Sequence, residues 1–156
     1  MLMKIGQSIP ETLGVDQQGR LHNAADYAGK GLIIYFYPKD NTPGCTAEAC
    51  SLSNGYSLLK KAGYKLLGVS KDSAASHEKF AAKYNLPFPL IADVDHVLQD
   101  AFGVWREKKM AGRTYMGTVR TTFVINADGI VTHIIEKVNT KDHAAQILEI
   151  INSDNK

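Results

Sequence analysis

The stretch "FYPKDNTPGCTAEAC", Phe36 to Cys50, holds both cysteines of a 156-residue chain, five positions apart and directly behind a Thr-Pro-Gly. It also marks a change of period. Upstream, "GLIIYFYP" (31–38) is a continuous apolar, β-branched and aromatic run bounded by glycine and proline, which predicts a strand buried on both faces. Phe36 and Tyr37 then face opposite sides of it. Downstream, Thr42 stands as N-cap and Pro43 at the first helical position, with Gly63 past the end of a helix predicted to run to about Lys61.

The same reading extends outward. "YKLLGVS" (64–70) predicts a second buried strand, and Ser73–Tyr84 a helix closed before Pro87. "FPLIAD" (88–93) predicts a short strand and His96–Phe102 a short helix, with Asp93 and Asp95 as strand end and helix cap rather than a metal pair. "REKKMAGRTYMG" (106–117) has no strong period and reads as a loop, its Arg106, Lys108, Lys109 and Arg113 an ordinary charged surface. "RTTFVINADGIVTHIIEKV" (120–138) predicts two strands about a turn at Asn126–Gly129, and Lys141–Asn152 a closing helix with Ala144, Ala145, Ile147, Leu148 and Ile151 inward. "LGVDQQGRLHNAADYAG" (13–29) predicts an N-terminal hairpin about Asp16–Gly19. Trp105 reads as packing, and the histidines (22, 77, 96, 133, 143) as mostly exposed. The expected class is α/β: a central mixed sheet flanked by helices, in the thioredoxin-like order, with an N-terminal hairpin extension. No repeat or linker divides the chain, so residues 1–156 are expected to form one domain.

Composition narrows the partners. Apolar residues make up 44% and charged residues 22%, and the formal net charge is only +2, so nucleic acid and anionic membranes are not expected. No run approaches the ~18 apolar residues of a membrane span. The start "MLMKIGQSIPETLG" lacks a signal-peptide core, and a cytoplasmic, reducing location is expected. Two cysteines there point to catalysis or redox activity more than to a framework. Without a glycine-rich phosphate loop or ligand spacing, no nucleotide cofactor or metal is expected.

As third helical residue, Cys45 has an N–H without an intrahelical partner and sits at the positive end of the helix dipole. Both favour thiolate over thiol, the reactive form. Pro43 and Gly44 add little bulk in front of the sulfur. The bland alternative is a small core residue near a helix start. Cys50 follows five residues on, which in an ideal helix sets the two Cα atoms roughly 8.5 Å apart and about 140° round the axis. A disulfide needs about 7 Å or less. The pair therefore either never bonds or bonds when the helix opens locally.

At these residues the chain resembles a known family. "PKDNTPGC" matches the P-x-x-x-T-x-x-C signature of the peroxiredoxins, and "YFYPKDNTPGCTAEAC" resembles their bacterioferritin-comigratory (PrxQ) branch. "VSKDSAASHEKFAAKYNLPFPLIAD" (69–93) and "KMAGRTYMGTVRTTFVIN" (109–126) are similar to the middle and C-terminal parts of that branch. The resemblance implies a thiol peroxidase acting on hydrogen peroxide and organic hydroperoxides. Cys45 would be the peroxidatic thiol and Cys50 the resolving one, joined in an intramolecular disulfide that thioredoxin, or a glutaredoxin, reduces. Thr42 would aim a hydroxyl at thiolate and peroxide, and Pro43 would shield the sulfur. Arg120 would stabilise the thiolate, Glu48 would orient Arg120, and Pro38 opens the signature beside an aromatic wall. A monomer is expected, because both thiols lie on one chain. The rival reading is a peroxide-responsive redox sensor built on the same pair.

Overall fold

The computed structural model describes residues 2–154. β1 (Thr12–Val15) and β2 (Leu21–Asn23) form the N-terminal hairpin, and a 3-10 turn leads into β3 (Gly31–Phe36). α1 (Pro43–Lys61) crosses to β4 (Tyr64–Ser70), and α2 (Ala74–Tyr84) to β5 (Leu90–Ala92). Both crossovers return parallel to the preceding strand, the connection that needs a helix. After α3 (Val97–Phe102) come β6 (Trp105–Met110), β7 (Arg113–Thr118), β8 (Thr121–Ile125) and β9 (Val131–Ile135), and α4 (His143–Asp154) follows. The main sheet runs β5-β4-β3-β8-β9, with β8 antiparallel to β3 and β9 antiparallel to β8. This is the mixed, helix-flanked sheet expected from the order of elements. No helix among the described residues is long and apolar enough to cross a membrane.

Strand alternation divides the core. Leu32, Ile34 and Phe36 pack with Leu67, Val69, Phe102 and Phe123 on one side of the sheet. Ile33, Tyr35 and Tyr37 pack on the other with Cys45, Ala49, Leu52, Phe80 and Ile147, from α1, α2 and α4. Phe36 and Tyr37 thus point apart as their period requires, and all six β3-side residues, 32–37, are at most 1% exposed.

Two expectations need correction. Residues 106–117 are a two-stranded ribbon, β6 paired with β7 from Trp105↔Thr118 to Met110↔Arg113, and not a loop. The ribbon stands apart from the main sheet, so it has no buried face to impose alternation. The histidines are not mostly exposed: His22, His77 and His143 are buried, each held by side-chain partners.

α1 and α4 meet where Gly55 lies against Ala144, so closely that a Cβ on residue 55 would collide with the Ala144 side chain. Gly55→Leu should therefore cost about 1–3 kcal/mol by overpacking. Denaturant unfolding at constant m-value measures it, and a loss below about 0.5 kcal/mol would mean the helices separate freely.

Candidate active site

β3 ends at the sheet's centre, and residues 37–42 carry the chain from there to the start of α1. This connection is clamped. Asp40, buried, accepts from the Tyr37 hydroxyl (2.6 Å) and the Ser76 hydroxyl (2.8 Å), and lies 2.7 Å from His77 Nδ1. His77 Nε2 lies 2.9 Å from the Ile91 carbonyl, which can only accept. Asp72, which accepts from Ser70, receives the Asp40 backbone N–H at 2.9 Å. Asp40, Asp72 and His77 come within metal-binding reach of one another, but their facing atoms are already committed to these bonds, and the trio acts as a brace. Asp40→Ala should cost about 3 kcal/mol, because it leaves the buried Tyr37 hydroxyl without its acceptor and His77 Nδ1 without its partner; urea unfolding reads it, and an unchanged midpoint would remove the brace.

Beyond the brace, Asn41 adopts a left-handed φ of 61° and α1 begins. Thr42 takes the N-cap backbone conformation without a side-chain cap bond. Its hydroxyl instead donates to the Lys39 carbonyl at 3.0 Å. With its proton committed there, the Thr42 oxygen has only lone pairs left to offer. The first helical bond runs from the Thr46 N–H to the Thr42 carbonyl, so Gly44 and Cys45 have no intrahelical acceptor for theirs. Pro43 is exposed and Pro38 half-buried, while Cys45 is 1% exposed.

Arg120 reaches the sulfur from just before β8, not from its first residue. One guanidinium nitrogen, Nη2, donates to Cys45 Sγ at 3.3 Å, and the other, Nη1, donates to Glu48 Oε1 at 2.5 Å. Glu48 lies one helical turn after Cys45 and is wholly buried. Burial pushes its carboxyl up to about 7 against the opposing pull of Arg120. A side chain on residue 44 would stand 3.4 Å from Arg120 Nη2, so glycine there leaves the guanidinium its place. Lys108 of β6, whose ammonium is pushed down by burial and then by the charge of Arg120, adds positive potential nearby.

Cys50 is half-buried further along the unbroken α1, and both cysteines are free thiols. Helix geometry keeps their Cα atoms roughly 8.5 Å apart. The structure also brings in residues that the sequence reading passed over: His143, buried at the start of α4, lies with Nε2 3.6 Å from Glu48 Oε2. Its signal was available, since His143 precedes Ile147 and Ile151 by one and two turns on the face read as inward.

A family model described as AhpC/TSA matches residues 5–134. The chain belongs to the AhpC/TSA family. Similar proteins within that family include members of the bacterioferritin-comigratory, or PrxQ, branch of the peroxiredoxins. It is 42% identical to peroxiredoxin Bcp of Bacillus subtilis over 151 residues, 97% of this chain and 96% of the relative. It is 41% identical to that of Escherichia coli K12 over 146 residues, 94% of each. Among solved structures, the bacterioferritin comigratory protein of Xanthomonas campestris, studied for alkyl peroxide reduction, has a TM-score of 0.86 at 36% identity, covering 96% of this chain and 100% of that one. A Xylella fastidiosa PrxQ variant reaches 0.91 at 31% identity, covering 100% and 99%. The fold is the thioredoxin-like one of those proteins.

Proposed function

We propose that the protein is a thiol peroxidase that reduces hydrogen peroxide and organic hydroperoxides with Cys45. The observation that carries this is the single guanidinium of Arg120 held between Cys45 Sγ and the buried Glu48. A cation that does not deprotonate, fixed at 3.3 Å from the sulfur, favours thiolate and faces the charge that develops on the peroxide oxygens. The thiolate displaces at the outer oxygen of ROOH, forming Cys45–SOH and expelling RO⁻, which takes a proton to leave as ROH. Thr42 accepts a hydrogen bond from the peroxide, and Pro43 and Pro38 keep bulk water off the sulfur.

Cys50 then attacks the sulfenic sulfur, releasing water and forming the Cys45–Cys50 disulfide, which keeps Cys45 from irreversible oxidation. The first turns of α1 unwind to allow it, since the Cα separation exceeds disulfide reach. A thioredoxin-type dithiol in the cytoplasm restores both thiols, and the protein works as a monomer because both thiols lie on one chain. Sedimentation showing a stable dimer would overturn that last point.

The test is NADPH-coupled peroxide consumption with thioredoxin and thioredoxin reductase. Wild type should turn over, while Cys50→Ser should consume one equivalent of peroxide and stall. Wild type that forms its disulfide and is not recycled by either thioredoxin or glutaredoxin would favour a redox sensor.

A further inference from the structure

The cluster behind Cys45 contains two buried side chains, Glu48 and His143, that face each other. Gln146 is oriented by two partners that admit one role each: its Oε1 accepts the Asn139 backbone N–H at 2.9 Å, and its Nε2 donates to the Lys137 carbonyl at 2.9 Å. His143 Nδ1 lies 2.8 Å from that same Oε1, so Nδ1 carries a hydrogen. In the neutral ring Nε2 is then a bare lone pair, and the Thr122 hydroxyl donates to it at 2.7 Å. Glu48 Oε2 faces that nitrogen at 3.6 Å and has no hydrogen-bond partner, in a site where both side chains are 0% exposed. Two acceptors thus confront each other in the core.

Charge balance says when a proton is needed between them. With Cys45 as thiol, Arg120 and ionised Glu48 cancel. With Cys45 as thiolate, the cluster carries one uncompensated negative charge unless Glu48 or His143 takes a proton, and such a charge in the core is costly. Resting on the reading of Cys45 and Arg120 given above, we propose that Glu48 and His143 form the proton store of the active-site thiol: the proton that leaves the Cys45 sulfur is balanced by one bound between Glu48 Oε2 and His143 Nε2. No electrons move, and the proton exchanges through solvent at the partly exposed Arg120.

Among the described residues, the groups facing the pair are Cys45 on α1, Arg120 before β8, Thr122 on β8, Gln146 on α4 and the Tyr35 hydroxyl on β3. Tyr35 is itself held well above its ordinary range by burial and then by the charge of Glu48. Burial also pushes His143 down to about 4 while Glu48 stands at about 7, so the carboxyl is the natural resting place of the proton and the imidazole its acceptor. His143 is a positioning residue here, acting on sulfur only through Glu48 and Arg120.

The test follows the pH profile of Cys45 alkylation by iodoacetamide, read by intact mass in a Cys50→Ser background. Glu48→Gln keeps the shape and an acceptor for Arg120 but removes the negative charge. It should move the midpoint down by about one pH unit, a tenfold gain in thiolate at lower pH. His143→Phe, which strips Glu48 of its proton acceptor, should move it up. If Glu48 merely oriented Arg120, Glu48→Gln would leave the midpoint in place or move it up, and either result overturns the proposal. In wild type, the His143 ring nitrogens, followed by 15N NMR, should shift in step with alkylation and lose that shift in Glu48→Gln. Ring shifts unchanged across the alkylation midpoint overturn the proposal even where a variant fails to fold. If Arg120→Ala also leaves the midpoint unmoved, the failure lies in the underlying reading of Cys45 and Arg120; if Arg120→Ala moves it and the other two do not, only the proton store fails.

Discussion

A Cys45→Ser protein should leave peroxide at its uncatalysed rate while keeping its fold. A serine hydroxyl does not ionise near neutral pH, so no nucleophile replaces the thiolate, and Cys50 stands too far along α1 to take its place. The change is nearly isosteric at a position only 1% exposed, and Arg120 can donate to the new oxygen as it does to sulfur. Stability should therefore fall by no more than about 1 kcal/mol. Coupled peroxide consumption and a thermal melt on one preparation separate the two. Turnover that survives in a folded Cys45→Ser protein would move the chemistry elsewhere.

Arg120→Ala should lower the second-order rate with hydrogen peroxide by about 10²–10³, the usual loss when one fixed donor to developing charge is removed. It should also carry a pH signature. The Glu48 carboxyl is already raised to about 7, so the folded chain binds its proton more tightly than the unfolded chain does. The stability this lends is full below the ordinary carboxyl range and is lost as pH rises through the folded value. Removing Arg120, which pulls the other way, raises Glu48 further. The variant should therefore be weakened more at pH 8 than at pH 5. Urea unfolding at both values checks this, and equal losses would mean that Glu48 does not sense the guanidinium. Stopped-flow tryptophan fluorescence, from Trp105, can follow the peroxide step.

Much of this was legible in the chain. The runs at 31–38 and 64–70 are apolar without a break because both faces of β3 and β4 are covered. The change from that pattern to Thr42-Pro43 announces α1. Residues 106–117 were not legible, because β6 and β7 pair with each other and leave Met110, Tyr115 and Met116 exposed, so apolar residues there do not mark a core. Within the site, a helix start predicts an activated Cys45, but its contact with Arg120 joins residues 75 apart. No spacing rule reaches that far; the family signature does. His143 and His77 were missed for a simpler reason. Histidine is scored as polar, and what buries it is a hydrogen-bond partner from another element, Thr122 in one case and Asp40 in the other.

The packing of α4 on α1 also has a meaning in time. Ile147 and Ile151 complete the same cluster that holds Cys45, Ala49 and Leu52, yet His143 follows Cys45 by 98 residues. At a ribosomal pace of about 5–20 residues per second, the thiol is synthesised roughly 5–20 s before the helix that seals its inner side. Until then α1 has only part of its cover, and the nascent chain carries its cysteine without the wall that later encloses it. Chain order thus places the seal around Cys45 after every strand of the main sheet has been made.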